Sequence, residues 1–134
     1  MLRLYFFVLA VTLQACTTIV HPTAESSKDF PIVSLAKVSN TDVFSDCMLS
    51  TLNSMKRYAV NYRTIQQEVR IDRTIIDTAI ANGDIQVSRT EIFDDGNVQI
   101  RTLNYVKIYR LDLSYELKAF KACVDKSLYR NSLV

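Results

Sequence analysis

Glycine and proline are scarce in this chain, and the positions of its two glycines limit the fold more than any other feature. Gly83 follows Asn82, and Gly96 lies within the run Asp94–Asn97. Both arrangements are typical of tight turns between antiparallel strands. A chain of 134 residues is long enough for one small domain. We therefore expect a single domain in which these two turns join antiparallel strands.

The segments around these two turns have the composition of three antiparallel strands. We predict the strands at residues 65–81, 84–93 and 97–109. On the last strand a period of two places four apolar side chains on one face: Val98, Ile100, Val106 and Ile108. The first segment also repeats near a helical period, so a helix over residues 65–81 is the alternative.

Helical periodicity flanks the predicted strands on both sides. Apolar residues at spacings of three and four predict one helix over residues 41–60 and another over residues 113–128. Candidate capping residues precede both helices: Ser39, Asn40 or Thr41 for the first, and Asp112 or Ser114 for the second. The predicted fold is an α+β two-layer sandwich. Its order is helix, three-stranded antiparallel meander, helix, with both helices on one face of the sheet.

The N-terminus has the pattern of a targeting segment. In residues 1–15 a single basic residue, Arg3, precedes an apolar run from Leu4 to Leu13. This run is too short to cross a membrane, which needs roughly 20 apolar residues. It fits the apolar region of a secretory signal peptide, with Ala15 before the cleavage point. A buried N-terminal helix or strand is the alternative.

The sequence Leu13-Gln14-Ala15-Cys16 resembles the lipobox of bacterial lipoproteins, although that family usually has a small residue in place of Gln14. The resemblance is confined to residues 1–16. It implies that Cys16 becomes the mature N-terminus and carries acyl chains. Thr17 follows where an Asp would favour the inner membrane, so the resemblance implies an anchor on the periplasmic side of the outer membrane. The alternative is an ordinary secreted protein, in which Cys16 is one more residue of the apolar region of the signal peptide.

The part of the chain after the lipobox is predicted to be a tether followed by one domain. Residues 16–39 form the lipidated N-terminus and a flexible tether, and residues 40–134 form the globular domain. The apolar patch Phe30–Val33 can alternatively pack on the domain or pair as an edge strand. His21, which is the only histidine, lies in the tether and is expected to be solvated.

The two remaining cysteines predict a disulfide. If Cys16 is acylated, Cys47 and Cys123 form an even pair in an exported chain. Each lies on the apolar stripe of a predicted helix, and the bond would close a loop of about 76 residues. The chain-entropy model gives such a bond roughly 4–4.5 kcal/mol of stabilisation. Two buried free thiols are the alternative.

Charge and motifs argue against several classes of function. A net charge of +2 without a basic block provides no electrostatic footprint for nucleic acid. The sequence contains no glycine-rich phosphate loop, nucleophile elbow or metalloprotease motif. With its single histidine in the tether, a Ser or Cys nucleophile has no histidine base. We predict no catalytic residues, no metal site and no cofactor.

A candidate partner-binding face lies on the third predicted strand. Arg101, Tyr105 and Tyr109 alternate with the apolar set there, and Tyr and Arg are enriched in protein interfaces. A solvated sheet face is the alternative, and a register slip of one residue would exchange the two faces. We expect a small lipid-anchored accessory or interaction protein of the cell envelope with an envelope protein as its partner. The alternatives are a small-ligand, lipid or cell-wall binder and, more remotely, a carboxylate-based hydrolase.

Overall fold

A computed structural model describes residues 29–55, 63–80, 85–103 and 112–132 of the chain. The strands are β1 (Ile32–Lys37), β2 (Thr64–Val69), β3 (Arg73–Ile80), β4 (Ile85–Phe93) and β5 (Asn97–Thr102), and the helices are α1 (Thr41–Met55) and α2 (Ser114–Ser132). The strands form one sheet in the order β1-β5-β4-β3-β2. Every neighbouring pair of strands is antiparallel.

The predicted order of helix, three-stranded meander and helix is wrong, because the described residues alone form a sheet of five strands. One extra strand arises because residues 65–80, the described part of the predicted segment 65–81, form neither a single strand nor a helix, but the hairpin of β2 and β3. The chain reverses at Ile71 and Asp72, where the Arg70 N–H donates to the Arg73 carbonyl at 2.8 Å. No Gly, Pro or Asn marks this turn, and the β-branched Ile71 continues the strand-like composition across it.

The other additional strand, β1, comes from residues that the sequence assigned to the tether. It pairs with β5 at one edge of the sheet, as in the alternative in which Phe30–Val33 forms an edge strand. Phe30 is fully buried and packs with three apolar residues of the sheet and its margin: Ile80, Val87 and Leu103. The folded part of the chain therefore includes residues ahead of α1.

Both helices pack against the same face of the sheet. The main core joins α1 and α2 to the central strands through these residues: Phe44, Met48, Leu52, Ala119, Phe120, Cys123, Ile76, Ile92, Val98 and Ile100. The rings of Phe44 and Phe120 meet edge to face, with their centroids 5.6 Å apart. Val98 and Ile100 thus point toward the helices. Val106 and Ile108 lie outside the described residues.

The turn predicted at Asp94–Asn97 is present and connects β4 to β5. Gly96 has a φ of 93°, in the left-handed region that favours glycine. A Cβ atom at this position would lie only 2.5 Å from the carbonyl oxygen of Val38. The Gly96 carbonyl in turn accepts a 2.8 Å hydrogen bond from the Val38 N–H. This close approach connects the end of β1 to the turn. The other predicted turn, at Asn82–Gly83, lies outside the described residues.

Both helices begin at capping residues that the sequence indicated. Asn40 Oδ1 accepts a hydrogen bond of 3.1 Å from the Val43 N–H at the start of α1. Asp112 Oδ1 accepts one of 2.9 Å from the Ser114 N–H at the start of α2. Hydrogen bonds from Ser114 hold the pKa of Asp112 below its ordinary value. The predicted continuation of the first helix over residues 56–60 lies outside the described residues.

Candidate functional site

The predicted disulfide is present and joins the two helices. Cys47 on α1 bonds to Cys123 on α2, with the Cα atoms 5.6 Å apart. Cys123 is fully buried in the main core. The Thr51 hydroxyl lies 3.8 Å from the sulfur of Cys47 and 3.7 Å from that of Cys123. The bond therefore links the two helices at the main core. The alternative of two free thiols does not hold.

Arg101 lies on the face of the sheet opposite the helices, as the alternation along its strand predicted. Its Nε donates to Glu91 Oε1 at 2.7 Å, and its Nη1 donates to the Phe30 carbonyl at 3.2 Å. Its side chain retains 21% of its exposure. Arg101 therefore links the residues just before β1 to β4, and part of the Arg101 side chain remains accessible to solvent. The other members of the predicted face, Tyr105 and Tyr109, lie outside the described residues, as does Cys16.

Glu91 is the centre of a polar group on this face that the sequence analysis missed. Its carboxylate accepts hydrogen bonds from Arg73 on β3, and from Gln99 and Arg101 on β5. Burial raises the pKa of Glu91, but the hydrogen bonds from Gln99, Arg101 and Arg73 outweigh it and hold the pKa below its ordinary value. The hydrogen bond to Glu91 in turn raises the pKa of Arg73. An ionised, fully engaged carboxylate links three strands.

A second ion pair lies beside this group. Arg89 on β4 donates through Nε and Nη2 to the two carboxylate oxygens of Asp77 on β3, at 2.8 and 2.9 Å. We give the name polar ladder to five charged residues of this face: Arg73, Asp77, Arg89, Glu91 and Arg101. The sequence pattern that could have predicted the polar ladder is the presence of opposite charges, spaced by two residues, on neighbouring strands. That signal has meaning only after the strands are placed in register.

A depression of about 540 Å³ lies at one end of the polar ladder. Its lining includes the apolar side chains of Leu35 and Phe93 and the amides of Asn97 and Gln99. The guanidinium of Arg73 lies 5.0 Å from the centroid of the Phe93 ring, on the ladder side. This surface combines aromatic, aliphatic and amide groups with the carboxylate of Asp95.

A buried ion pair holds the start of α2 onto the sheet from the helical side. Arg63 Nε lies 2.6 Å from Glu116 Oε1, and Arg63 Nη2 donates to the Asp112 carbonyl at 2.6 Å. Thr78 on β3 donates to the same Glu116 oxygen at 3.3 Å. Arg63 and Glu116 are both buried, so removing either would leave an uncompensated charge in the interior. This pair was also absent from the sequence predictions, because nothing local connects residue 63 to residue 116.

Neither a metal centre nor a membrane span is found in the part of the chain that the structure describes. No three His, Cys, Asp or Glu side chains there converge on a point where a cation would fit. No helix in those ranges has the length and apolar character needed to cross a bilayer. Comparison with protein-family models, with curated proteins and with solved structures gives no match for this chain.

Proposed function

We propose that this protein is a small lipid-anchored interaction protein of the bacterial cell envelope, held by acyl chains on Cys16 at the periplasmic side of the outer membrane. The observation that carries the proposal is the Cys47–Cys123 disulfide. Structural disulfides form and persist in exported proteins and are rare in the cytosol. The bond therefore fits the export route that the N-terminal sequence predicts.

The physics of the anchor supports a permanent attachment. A buried methylene contributes about 0.8 kcal/mol, and one acyl chain alone binds a bilayer only reversibly. A lipobox cysteine carries two or three chains, which together hold a protein on its membrane. The residues after Cys16 then place the folded domain in the periplasm.

Binding rather than chemistry is the role that the described side chains favour. Glu91 is ionised and hydrogen-bonded to three donors, which makes it a poor proton donor or acceptor for a substrate. Asp77 forms a two-point pair with Arg89. We propose that the face carrying Arg101, Tyr105 and Tyr109 meets an envelope protein partner, with the depression beside Leu35 adding apolar contact area.

Metabolic labelling with a clickable fatty acid tests the anchor, and crosslinking in the same cells tests the partner. The wild type should incorporate the label and Cys16→Ala should not, while the double variant Cys47→Ala/Cys123→Ala serves as a control that stays labelled. Tyr105→Ala and Tyr109→Ala should reduce recovery of the crosslinked partner without shifting the denaturation midpoint. Equal labelling of the wild type and Cys16→Ala would refute the anchor. Unfolding by either tyrosine substitution would refute the surface assignment.

A further inference from the structure

Most of the large apolar side chains exposed in the described ranges lie on one flank of the domain. Those on α2 belong to a stripe with spacings of four, three and four residues, which runs along the helix beside β1. Val33, Leu35, Leu117, Lys121 and Val124 line one groove between the strand and the helix. We call the following residues the β1–α2 flank: Val33, Leu35, Leu117, Lys121, Val124 and Leu128.

The backbone of β1 also presents hydrogen-bonding groups on this flank that no strand of the described residues engages. The Val38 N–H donates to the Gly96 carbonyl, and the register continues through Ala36 with Val98 and Ser34 with Ile100. Hydrogen-bonded and non-hydrogen-bonded positions alternate along an antiparallel pair. The N–H and carbonyl groups of Leu35 and Lys37 therefore point away from β5. In the described ranges no strand pairs with that side of β1.

The two edges of the sheet differ in how they are protected against pairing. The opposite edge, β2, exposes Gln66, Gln67 and Glu68, and the Glu68 carboxylate forms an ion pair with Arg70 at 3.0 Å. Charged side chains on an edge strand oppose pairing with another chain. From Ile32 to Ala36, β1 contains no charged residue, and Leu35 is 67% exposed. Although β1 ends in Lys37 and its pairing with β5 is irregular between Ile32 and Ser34, it is the more apolar of the two edges.

We propose that β1 pairs antiparallel with β1 of a second copy of this chain, about a two-fold axis at Leu35. The two sheets then become one continuous sheet, and each Leu35 exchanges its free backbone hydrogen bonds with the Leu35 of the second copy. In this register Val33 lies opposite Lys37 of the second copy. A register centred on Lys37 would instead oppose two like charges, which is destabilising.

The exposed face of α2 is also complementary to the same face of a second copy when the two copies are related by a two-fold axis. A two-fold contact requires one surface to be complementary to its own copy. Antiparallel α2 helices centred near Ala122 bring Leu117 of one copy to Leu128 of the other. The same antiparallel arrangement brings Lys121 of one copy close to Asp125 of the other. Both side chains are exposed in the single chain. Apolar residues then meet apolar residues, and opposite charges meet near the axis.

The lengths of the two matching surfaces are also compatible. The stripe from Leu117 to Leu128 spans about 16 Å at 1.5 Å per residue. The strand from Val33 to Lys37 spans about 13 Å at 3.3 Å per residue. A self-matching flank favours a second copy over an unrelated extended peptide, which would need only the strand edge. This pairing is a property beyond the proposed anchor and partner face, and it does not require them.

Photo-crosslinking of the full chain in cells tests this pairing. A benzophenone amino acid replaces Leu117 in cells that express two copies with different tags, and a crosslinked band with both tags is the expected product. Leu35→Lys in both copies should abolish that band. Ile71→Lys is the matched control, because Ile71 is a fully exposed apolar residue at the opposite side of the sheet, and it should leave the band unchanged. Resistance of Cys47 and Cys123 to alkylation verifies that the disulfide forms in each variant, and an unchanged urea denaturation midpoint of the purified variant verifies its folding.

A charge exchange gives a second and independent readout. Lys121→Glu in both copies should weaken the band by repulsion from Asp125, and Asp125→Lys in both copies should weaken it by repulsion from Lys121. Cells that express one Lys121→Glu copy and one Asp125→Lys copy should regain it, because both contacts across the axis are again oppositely charged. Absence of the doubly tagged band in the wild type, its persistence in Leu35→Lys, or crosslinks only to another protein would overturn the proposal.

Discussion

At the scale of single residues, Glu91 is a charged side chain that links neighbouring strands of the sheet through its hydrogen bonds. It lies opposite Gln99 in the register of β4 and β5, and it reaches Arg73 on one neighbouring strand and Arg101 on the other. Its pKa is lowered from the ordinary value of 4.5, so the folded state binds this proton less readily than the unfolded chain does. The stabilisation from Glu91 is therefore complete above about pH 4.5 and is lost as the pH falls through the lowered pKa.

Glu91→Gln should accordingly flatten the acid limb of the stability profile. The substitution removes the ionised acceptor and lowers the free energy of unfolding at pH 7, but it also removes the group whose protonation destabilises the wild type in acid. The two proteins should therefore converge in stability as the pH falls below about 4.5 and through the lowered pKa of Glu91. Urea denaturation at a series of pH values measures this. A constant difference between the two proteins over that range would contradict it.

Residues with local signals could be predicted, and those with distant partners could not. Asn40 and Gly96 were readable because capping and a left-handed turn depend on a few neighbours in sequence. Cys47 and Cys123 could be predicted as a pair because they are the two cysteines left once Cys16 is assigned to the lipobox. Glu91 and the buried pair of Arg63 and Glu116 depend on strand register and helix docking, which no local pattern records.

At the scale of elements, the predicted boundaries that were wrong are those that depend on tertiary contacts. The reversal between β2 and β3 uses Ile71 and Asp72, a combination without a turn-forming Gly or Pro. The strand β1 is short and half exposed, so its alternation was too weak to separate it from a tether. The two helices and the β4–β5 hairpin were identified because strong periodicity and a glycine turn mark them.

The disulfide between α1 and α2 should provide a large share of the stability of the domain. Cys47→Ser/Cys123→Ser should lower the free energy of unfolding by about 4 kcal/mol, because the unfolded chain regains the freedom of the closed loop. Urea denaturation of the oxidised wild type and of the double variant measures the difference. Mass analysis after alkylation without reductant should show neither cysteine modified in the native wild type. Full alkylation of both residues would refute the bond itself.

At the scale of the whole molecule, the sheet joins distant parts of the sequence. The first strand, β1, lies beside the last strand, β5, and Ile32 pairs with Arg101. Phe30 and Val38, at either end of β1, are both buried. Such non-local pairing slows folding, because long loops must close before their contacts form. It also makes the sheet dependent on residues well ahead of α1.

Removing β1 should therefore unfold the domain, whereas removing only the residues before it should not. A protein that begins at Asp29 should keep the denaturation midpoint of the protein that begins at Cys16. One that begins at Ser39 retains the α1 cap but loses Phe30, and the loss of a buried Phe side chain alone costs about 3–5 kcal/mol. Circular dichroism and urea titration compare the three. A cooperative transition with the full midpoint in the shortest protein would show that β1 is dispensable.

The Cys47–Cys123 bond also determines how the domain responds to mechanical load. A pull on the chain ahead of Ile32 loads an edge strand, whose hydrogen bonds to β5 are the first to yield. Extension then runs through β1 and the first turns of α1 until it reaches Cys47, where the covalent link to Cys123 transfers the force to α2. The chain from Ile32 to Cys47 can extend to only about 50 Å before the disulfide bears the load. The residues between Cys47 and Cys123 lie inside the loop that this bond closes, so a pull from the N-terminal side lengthens only the chain ahead of Cys47.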